Sequence, residues 1–281
     1  MEKIKQGTYV GERALYNIHE KEIDGCIFED GESPLKECSD LVVKNTEFRW
    51  KYPMWYSKNI KCENIKILET ARSGVWYTKN IVIKDSILDG PKYFRRCKNV
   101  EIYNCDLMHG QEMFWGTDGI KIKNMKATGD YLCMNSSNVE IDGLYLEGNY
   151  AFDGAKNVTI KNSILNSKDS FWNTKNVKCI NCKIVGEYLG WNSENLTLID
   201  CEIESNQGLC YIDNLVLKNT SLNYTDLCFE LCSNIDAEVT SHVISIKNPI
   251  SGKIRVKSVG ELILDKNMID PSETKIEIEN E

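Results

Sequence analysis

Segments that open on asparagine recur along the chain every 19 or 20 residues from Asn80 onward, and this period leaves few folds open. Asn80-Ile81-Val82-Ile83-Lys84-Asp85 aligns with Asn99-Val100-Glu101-Ile102-Tyr103-Asn104, with Asn157-Val158-Thr159-Ile160-Lys161-Asn162 and with Asn195-Leu196-Thr197-Leu198-Ile199-Asp200. Further copies begin at Asp40, Asn64, Gly119, Asn138, Asn176, Asn214 and Asn234, with degenerate ones around Ile23 and Ile254. In each copy the first and third residues after the asparagine are apolar and the one between is usually polar. A period of two is a strand with one buried face. Nineteen residues cannot hold a strand, a helix and their turns, so leucine-rich and helical solenoids fit poorly. Strands that recur in one direction without hairpins pair in parallel, each with its own copy one coil away, at about 4.8 Å. Parallel crossovers are right-handed, and the six-residue units of left-handed β-helices do not divide a 19-residue coil. The expectation is an all-β chain, a single right-handed parallel β-helix (a solenoid) of about twelve coils with three short strands each. It is read as one domain over residues 1–281, with 1–20 as N-terminal cap and 254–281 as an irregular C-terminal coil and cap. Caps are needed because an open solenoid end is an edge strand.

Five residues after the leading position stands a second column: Asn45, Asp85, Asn104, Asn124, Gly143, Asn162, Asn181, Asp200 and Asn219. These residue types tolerate a left-handed backbone. The column therefore turns each strand into a second strand, and its stacked amides bond coil to coil. A ligand-binding role for it would not explain the spacing. The segment before each new asparagine is rich in aromatics. Its column Phe94, Phe114, Cys133, Phe152, Phe171, Gly190, Leu209, Phe229 is assigned to the core. The next column, Arg95, Trp115, Met134, Asp153, Trp172, Trp191, Cys210, Glu230, then points outward by alternation.

Composition removes several partners. A net charge of −8 argues against a polyanion-binding surface, so no nucleic acid is expected. No window approaches the roughly 18 consecutive apolar residues of a membrane helix, so no membrane partner is expected. The start, Met1-Glu2-Lys3-Ile4-Lys5-Gln6, lacks the apolar stretch of a secretory signal, which points to a cytoplasmic location. In a reducing compartment the twelve cysteines read as small buried hydrophobes and not as disulfides. Cys179-x-x-Cys182, with Cys201 and Cys210 further on, has metal-like spacing, but Cys179 and Cys182 fall at apolar repeat positions. No metal and no cofactor are expected. His19, His109 and His242 are scattered, without metal spacing.

The chain closely resembles a family of bacterial proteins of unknown function, DUF3737, placed among the pectate-lyase-like β-helices. The resemblance is carried by Phe28-Glu29-Asp30-Gly31-Glu32-Ser33-Pro34-Leu35, Trp50-Lys51-Tyr52-Pro53-Met54-Trp55, Ala71-Arg72-Ser73-Gly74-Val75-Trp76-Tyr77, Ser167-Lys168-Asp169-Ser170-Phe171-Trp172-Asn173 and Gly186-Glu187-Tyr188-Leu189-Gly190-Trp191-Asn192, among other stretches. It covers nearly the whole chain. It implies the fold and brings no catalytic residues. The chemistry of the wider superfamily does not transfer. Gly116-Thr117-Asp118-Gly119 matches only the first polygalacturonase motif, no two aspartates are adjacent, and His109-Gly110 lacks its leading glycine. No acid cluster has the pattern of a lyase calcium site.

Conspicuous residues gather beside the third segment. The column eight before the leading position includes Arg72, Asp130, Lys168 and Glu187; the column seven before includes Glu112, Tyr131, Tyr150, Asp169 and Tyr188. With the outward tryptophans they form an aromatic strip edged by carboxylates and bases, a composition that suits sugars. Candidate catalytic residues are Asp169 with Glu187 and Glu112 with Asp130. Each pair lies on adjacent coils, roughly 5–6 Å apart by coil spacing and near the separation in retaining glycosidases. Candidate ligand-binding residues are Trp115, Trp172, Trp191, Lys168, Arg72, Arg95, Asp153 and Tyr188. The bland account is that charged corners are solvated surface and that the rings cover the core. Three uses of the strip follow: binding a carbohydrate or other polar ligand, catalysis as a glycoside hydrolase or polysaccharide lyase, and a protein interface, with a homo-oligomer as its simplest form.

Overall fold

The computed structural model describes residues 1–279. Isoleucine, valine and leucine at alternate positions favour strand, because such side chains pack well on a pleated surface. In Lys79–Lys84, Ile81 and Ile83 are fully buried. This strand pairs in parallel with Lys58–Glu63, Ile81 beside Ile60 and Ile83 beside Cys62. On its other side it pairs with Lys98–Met108, Ile81 beside Val100 and Ile83 beside Ile102. Pairing thus follows the repeat, and each apolar column becomes a buried stack. The fold is the expected parallel β-helix. Only two 3-10 turns, Glu69–Ala71 and Pro271–Glu273, interrupt it among the described residues.

The chain forms two compact units, Met1–Leu146 and the part from Glu147 on. The described residues make eight turns in the first and seven in the second, fifteen where about twelve were expected. The extra turns lie at the ends, where the leading asparagine is absent. Glu2–Lys5 pairs in register with Lys21–Asp24, so residues 1–20, assigned to the N-terminal cap, form a further turn of the coil. Gly252–Ile263 pairs with Ile235–Lys247 and with Thr274–Ile278, so the end expected to be irregular is coiled, with a single register shift between Val239 and His242. Asn280 and Glu281, part of the acidic tail assigned to capping, lie outside the described residues.

Two columns of asparagines form ladders. In the first unit Asn59 donates to Asp40 (2.7 Å), Asn80 to Asn59 (2.8 Å) and Asn99 to Asn80 (2.8 Å). Five residues on, Asn45 donates to Asp24 (2.8 Å) and Asn64 to Asn45 (2.7 Å). Asn64 is therefore a turn residue, and the copy assigned to it begins at Asn59. In the second unit Asn195 donates to Asn176 (2.7 Å) and Asn219 to Asp200 (2.7 Å). These residues are left-handed, Asn59 at φ 55° and Asn64 at φ 51°. That conformation costs an L-residue about 1–2 kcal/mol, least for Asn and Asp, and a net hydrogen bond returns about 0.5–1.5 kcal/mol. At Gly119 the leading position has φ 76°, and a Cβ would come within 2.8 Å of the Asn99 amide oxygen. Asp118 takes over there, accepting from Asn138 at 2.7 Å.

The third segment departs from expectation. Apart from the short parallel pair Met54–Trp55 and Val75–Trp76, it is not strand. Every second residue is left-handed: Lys92, Phe94 and Arg96 at φ 66°, 56° and 51°, then Tyr150 and Phe152 at 57° and 65°. The alternating curl closes a short coil that a straight strand would overrun. The inward column is nonetheless buried as expected. Phe94 stacks on Phe114 at 4.8 Å, and Phe152 on Phe171 at 5.4 Å. Burying a phenylalanine gains about 1.5–3 kcal/mol, enough to hold its backbone in a conformation that bulky residues otherwise avoid.

All twelve cysteines are free and buried. Burial raises the Cys38 thiol to about 11 and Cys97 to about 12, so both stay protonated and unreactive. Cys182 and Cys201 meet on neighbouring coils of the second unit. No helix among the described residues is long and apolar enough to cross a membrane.

Candidate functional site

The outward column behaves differently in the two units. In the first, Trp55 and Trp76 stack at 4.9 Å with planes 5° apart. The next rung is Arg95, whose guanidinium lies 5.1 Å from the Trp76 ring and 4.5 Å from the Trp115 ring. Glu112 accepts a hydrogen bond from Arg95 and pairs with Lys92 at 3.6 Å. Two tryptophans are also tied to the backbone of the next coil: Trp55 Nε1 donates to the Ser73 carbonyl at 2.7 Å and Trp76 Nε1 to the Lys92 carbonyl at 2.6 Å. Asp130 lies on the coil after Glu112, as expected, and accepts from Gln111 at 3.3 Å. Arg72 is exposed and stands apart from the Trp55–Trp76–Arg95 stack.

In the second unit Trp172 Nε1 donates to the Tyr188 carbonyl at 2.8 Å, the same clip. Its ring meets Tyr150 edge-on at 6.1 Å and tilts against Trp191 at 5.9 Å and 40°. Trp191 is 38% exposed and continues to Tyr211 at 4.6 Å. Lys168 pairs with Glu187 at 2.9 Å, both substantially exposed. Asp153 accepts from Asn173 at 2.9 Å.

Asp169 is the exception to the solvated corner assigned to it. It is only 3% exposed, and its Oδ1 has no hydrogen-bond partner. Burial raises its carboxyl above the ordinary range, partly offset by Lys168 and by the Tyr188 backbone N–H, while Glu187 adds to the rise. The Tyr188 peptide thus faces Asp169 with its N–H and Trp172 with its carbonyl. Asp169 and Glu187 do lie close enough to influence each other, but one is buried and the other is an exposed ion-pair partner.

The candidate residues chosen from the sequence left out Tyr211, Gln207, Lys247 and Glu230, the last of which had been assigned to the outward column. Glu230 is 8% exposed, accepts from Gln207 and pairs with Lys247 at 2.8 Å. The signal was present, since Glu230 continues the tryptophan column. A groove of about 840 Å³ in the first unit runs along Asn59, Asn80 and Asn99 and contains none of the predicted site residues. Its lining amides are already bonded to one another in the ladder, whereas Asp169 is buried with an oxygen to spare. Among the described residues no three His, Cys, Asp or Glu side chains are grouped to hold a metal ion. The arrangement of the second unit can seat a flat ring on tryptophan and offer hydrogen bonds to its edge.

Residues 2–277 match the family described as "Protein of unknown function (DUF3737)". No curated protein matches the chain. Among solved structures it is similar to PfbA, a surface adhesin of Streptococcus pneumoniae, with 11% identity and a TM-score of 0.40, over 83% of this chain and 71% of that one. It is also similar to the tailspike protein of E. coli bacteriophage HK620 in complex with pentasaccharide (10%, TM-score 0.38, 92% of this chain and 62% of that one). A third is the catalytic domain of a GH87 alpha-1,3-glucanase in complex with tetrasaccharides (9%, TM-score 0.34, 98% and 63%). The chain spans less than two thirds of the latter two. At these scores the likenesses carry no chemistry.

Proposed function

We propose that this chain, which belongs to the DUF3737 family, binds a carbohydrate or similar polar ligand on the aromatic strip of its second unit. The observation that carries the reading is the partly exposed run Trp172, Trp191 and Tyr211 beside the Lys168–Glu187 pair. Sugar rings present apolar faces and hydroxyl edges, which such a platform and such charges complement. Trp191 is the anchor, being the most exposed of the three tryptophans chosen from the sequence. The test is a panel of oligosaccharides added to the full chain, followed by tryptophan emission and thermal shift. A specific ligand raises the midpoint and perturbs the emission; a panel that moves neither contradicts the proposal.

One observation favours a second reading, hydrolysis. Asp169 is buried with a raised carboxyl while Glu187, nearby, is exposed and paired with Lys168. Two carboxyl groups in unlike environments are what an acid and its ionised partner require. Cleavage of a bound oligosaccharide, lost in Asp169→Asn and Glu187→Gln alike, supports that reading; a bound but intact oligosaccharide leaves binding alone.

A further inference from the structure

We infer that the ligand of the second unit carries a cationic group, an amine or a guanidinium, that comes to the free oxygen of Asp169 beside Trp172 and Trp191. This rests on the reading of that strip as a ligand site and names the chemical class it selects. The first unit shows what these two columns hold. There the outward column places Arg95 against Trp76 and Trp115, and the column seven before supplies Glu112 as its counter-charge. Aromatic faces and a carboxylate together make a cation site.

The second unit repeats the tryptophans and the acid without the cation. Its single arginine, Arg255, lies in Gly252–Ile263 and is directed to Asp236 at 3.7 Å. The two nearby lysines are already matched, Lys168 by Glu187 and Lys247 by Glu230. Asp169 is the acid left over, 3% exposed with Oδ1 unpartnered. The Tyr188 backbone N–H and the Lys168 charge act on the carboxyl, but a buried oxygen left without a partner is costly, and a bound cation removes that cost. The net charge of −8 also draws cationic ligands and repels anionic ones.

Three hexasaccharides separate the possibilities on the intact chain at low ionic strength: β-1,4-glucosamine, its N-acetylated neutral form, and α-1,4-galacturonate. Titration followed by tryptophan emission is expected to show the glucosamine oligomer binding at least tenfold tighter than the neutral one, with galacturonate weakest. Added salt shrinks the preference, and Asp169→Asn removes it. Equal binding of charged and neutral forms, tighter binding of galacturonate, or a preference that survives Asp169→Asn overturns the inference and leaves the proposed function standing. Failure of all three to bind overturns both.

Discussion

The aromatic columns of the two units are drawn from the same repeat position and end differently. In the first, Trp76, Arg95 and Trp115 form a closed sandwich with its counter-charge, Glu112, in place. In the second, Trp172 and Trp191 tilt apart at 40° and Asp169 keeps an unpartnered oxygen. A solenoid repeats residue types cheaply, so a row of tryptophans says little by itself. Arg95 Nε in the first unit also lacks a hydrogen-bond partner, so what separates the two strips is the Glu112 counter-charge on Arg95 in the one and the exposed Trp191 ring in the other.

That distinction predicts unequal costs for similar truncations. Trp172→Ala removes the clip to Tyr188 and a half-buried ring, so it should cost about 2–3 kcal/mol, somewhat below a fully buried tryptophan, read from urea unfolding. Arg95→Ala opens the sandwich and strands Glu112. Since both partners keep some exposure, the cost should be about 1–2 kcal/mol. Trp191→Ala, at an exposed ring without a clip among the described residues, should cost less than about 1 kcal/mol. If Trp191→Ala proves as damaging as Trp172→Ala, the second strip is scaffold like the first.

Acidity offers a finer probe. The folded-state pKa of Asp169 is raised above its ordinary 3.8, so the folded chain binds this proton more tightly than the unfolded chain does. Its contribution to stability is therefore greatest in acid and is lost as pH rises through the interval above 3.8. Asp169→Asn lacks that dependence. Relative to the parent, the variant should gain stability as pH rises above 3.8 and then level off, and a flat difference would place Asp169 in solvent.

Much of this was legible beforehand. The two-residue period within a 19-residue repeat pointed to the parallel β-helix, because no other arrangement buries such short strands. The inward phenylalanines followed from alternation. The ladder register was misplaced at Asn64 because both turn columns carry asparagine, and residue type alone does not tell one turn from the other. Left-handed phenylalanines were not legible, since their local preference opposes that backbone and only burial enforces it. The end turns escaped because they lack the leading asparagine. Asp169 left a faint mark: it interrupts the run of Tyr131, Tyr150 and Tyr188 in its column. That an acid there is buried has no sequence pattern of its own.

The central claim, that the second strip is open to a ligand and the first is closed, is tested most directly by one titration on two variants. Trp115→Ala and Trp191→Ala are titrated with whichever oligosaccharide the parent binds, and the affinities are compared with the parent's. The account predicts at least a tenfold loss for Trp191→Ala, on the scale of an aromatic anchor, and parent-like affinity for Trp115→Ala. Undiminished binding by Trp191→Ala, or a loss confined to Trp115→Ala, would contradict it.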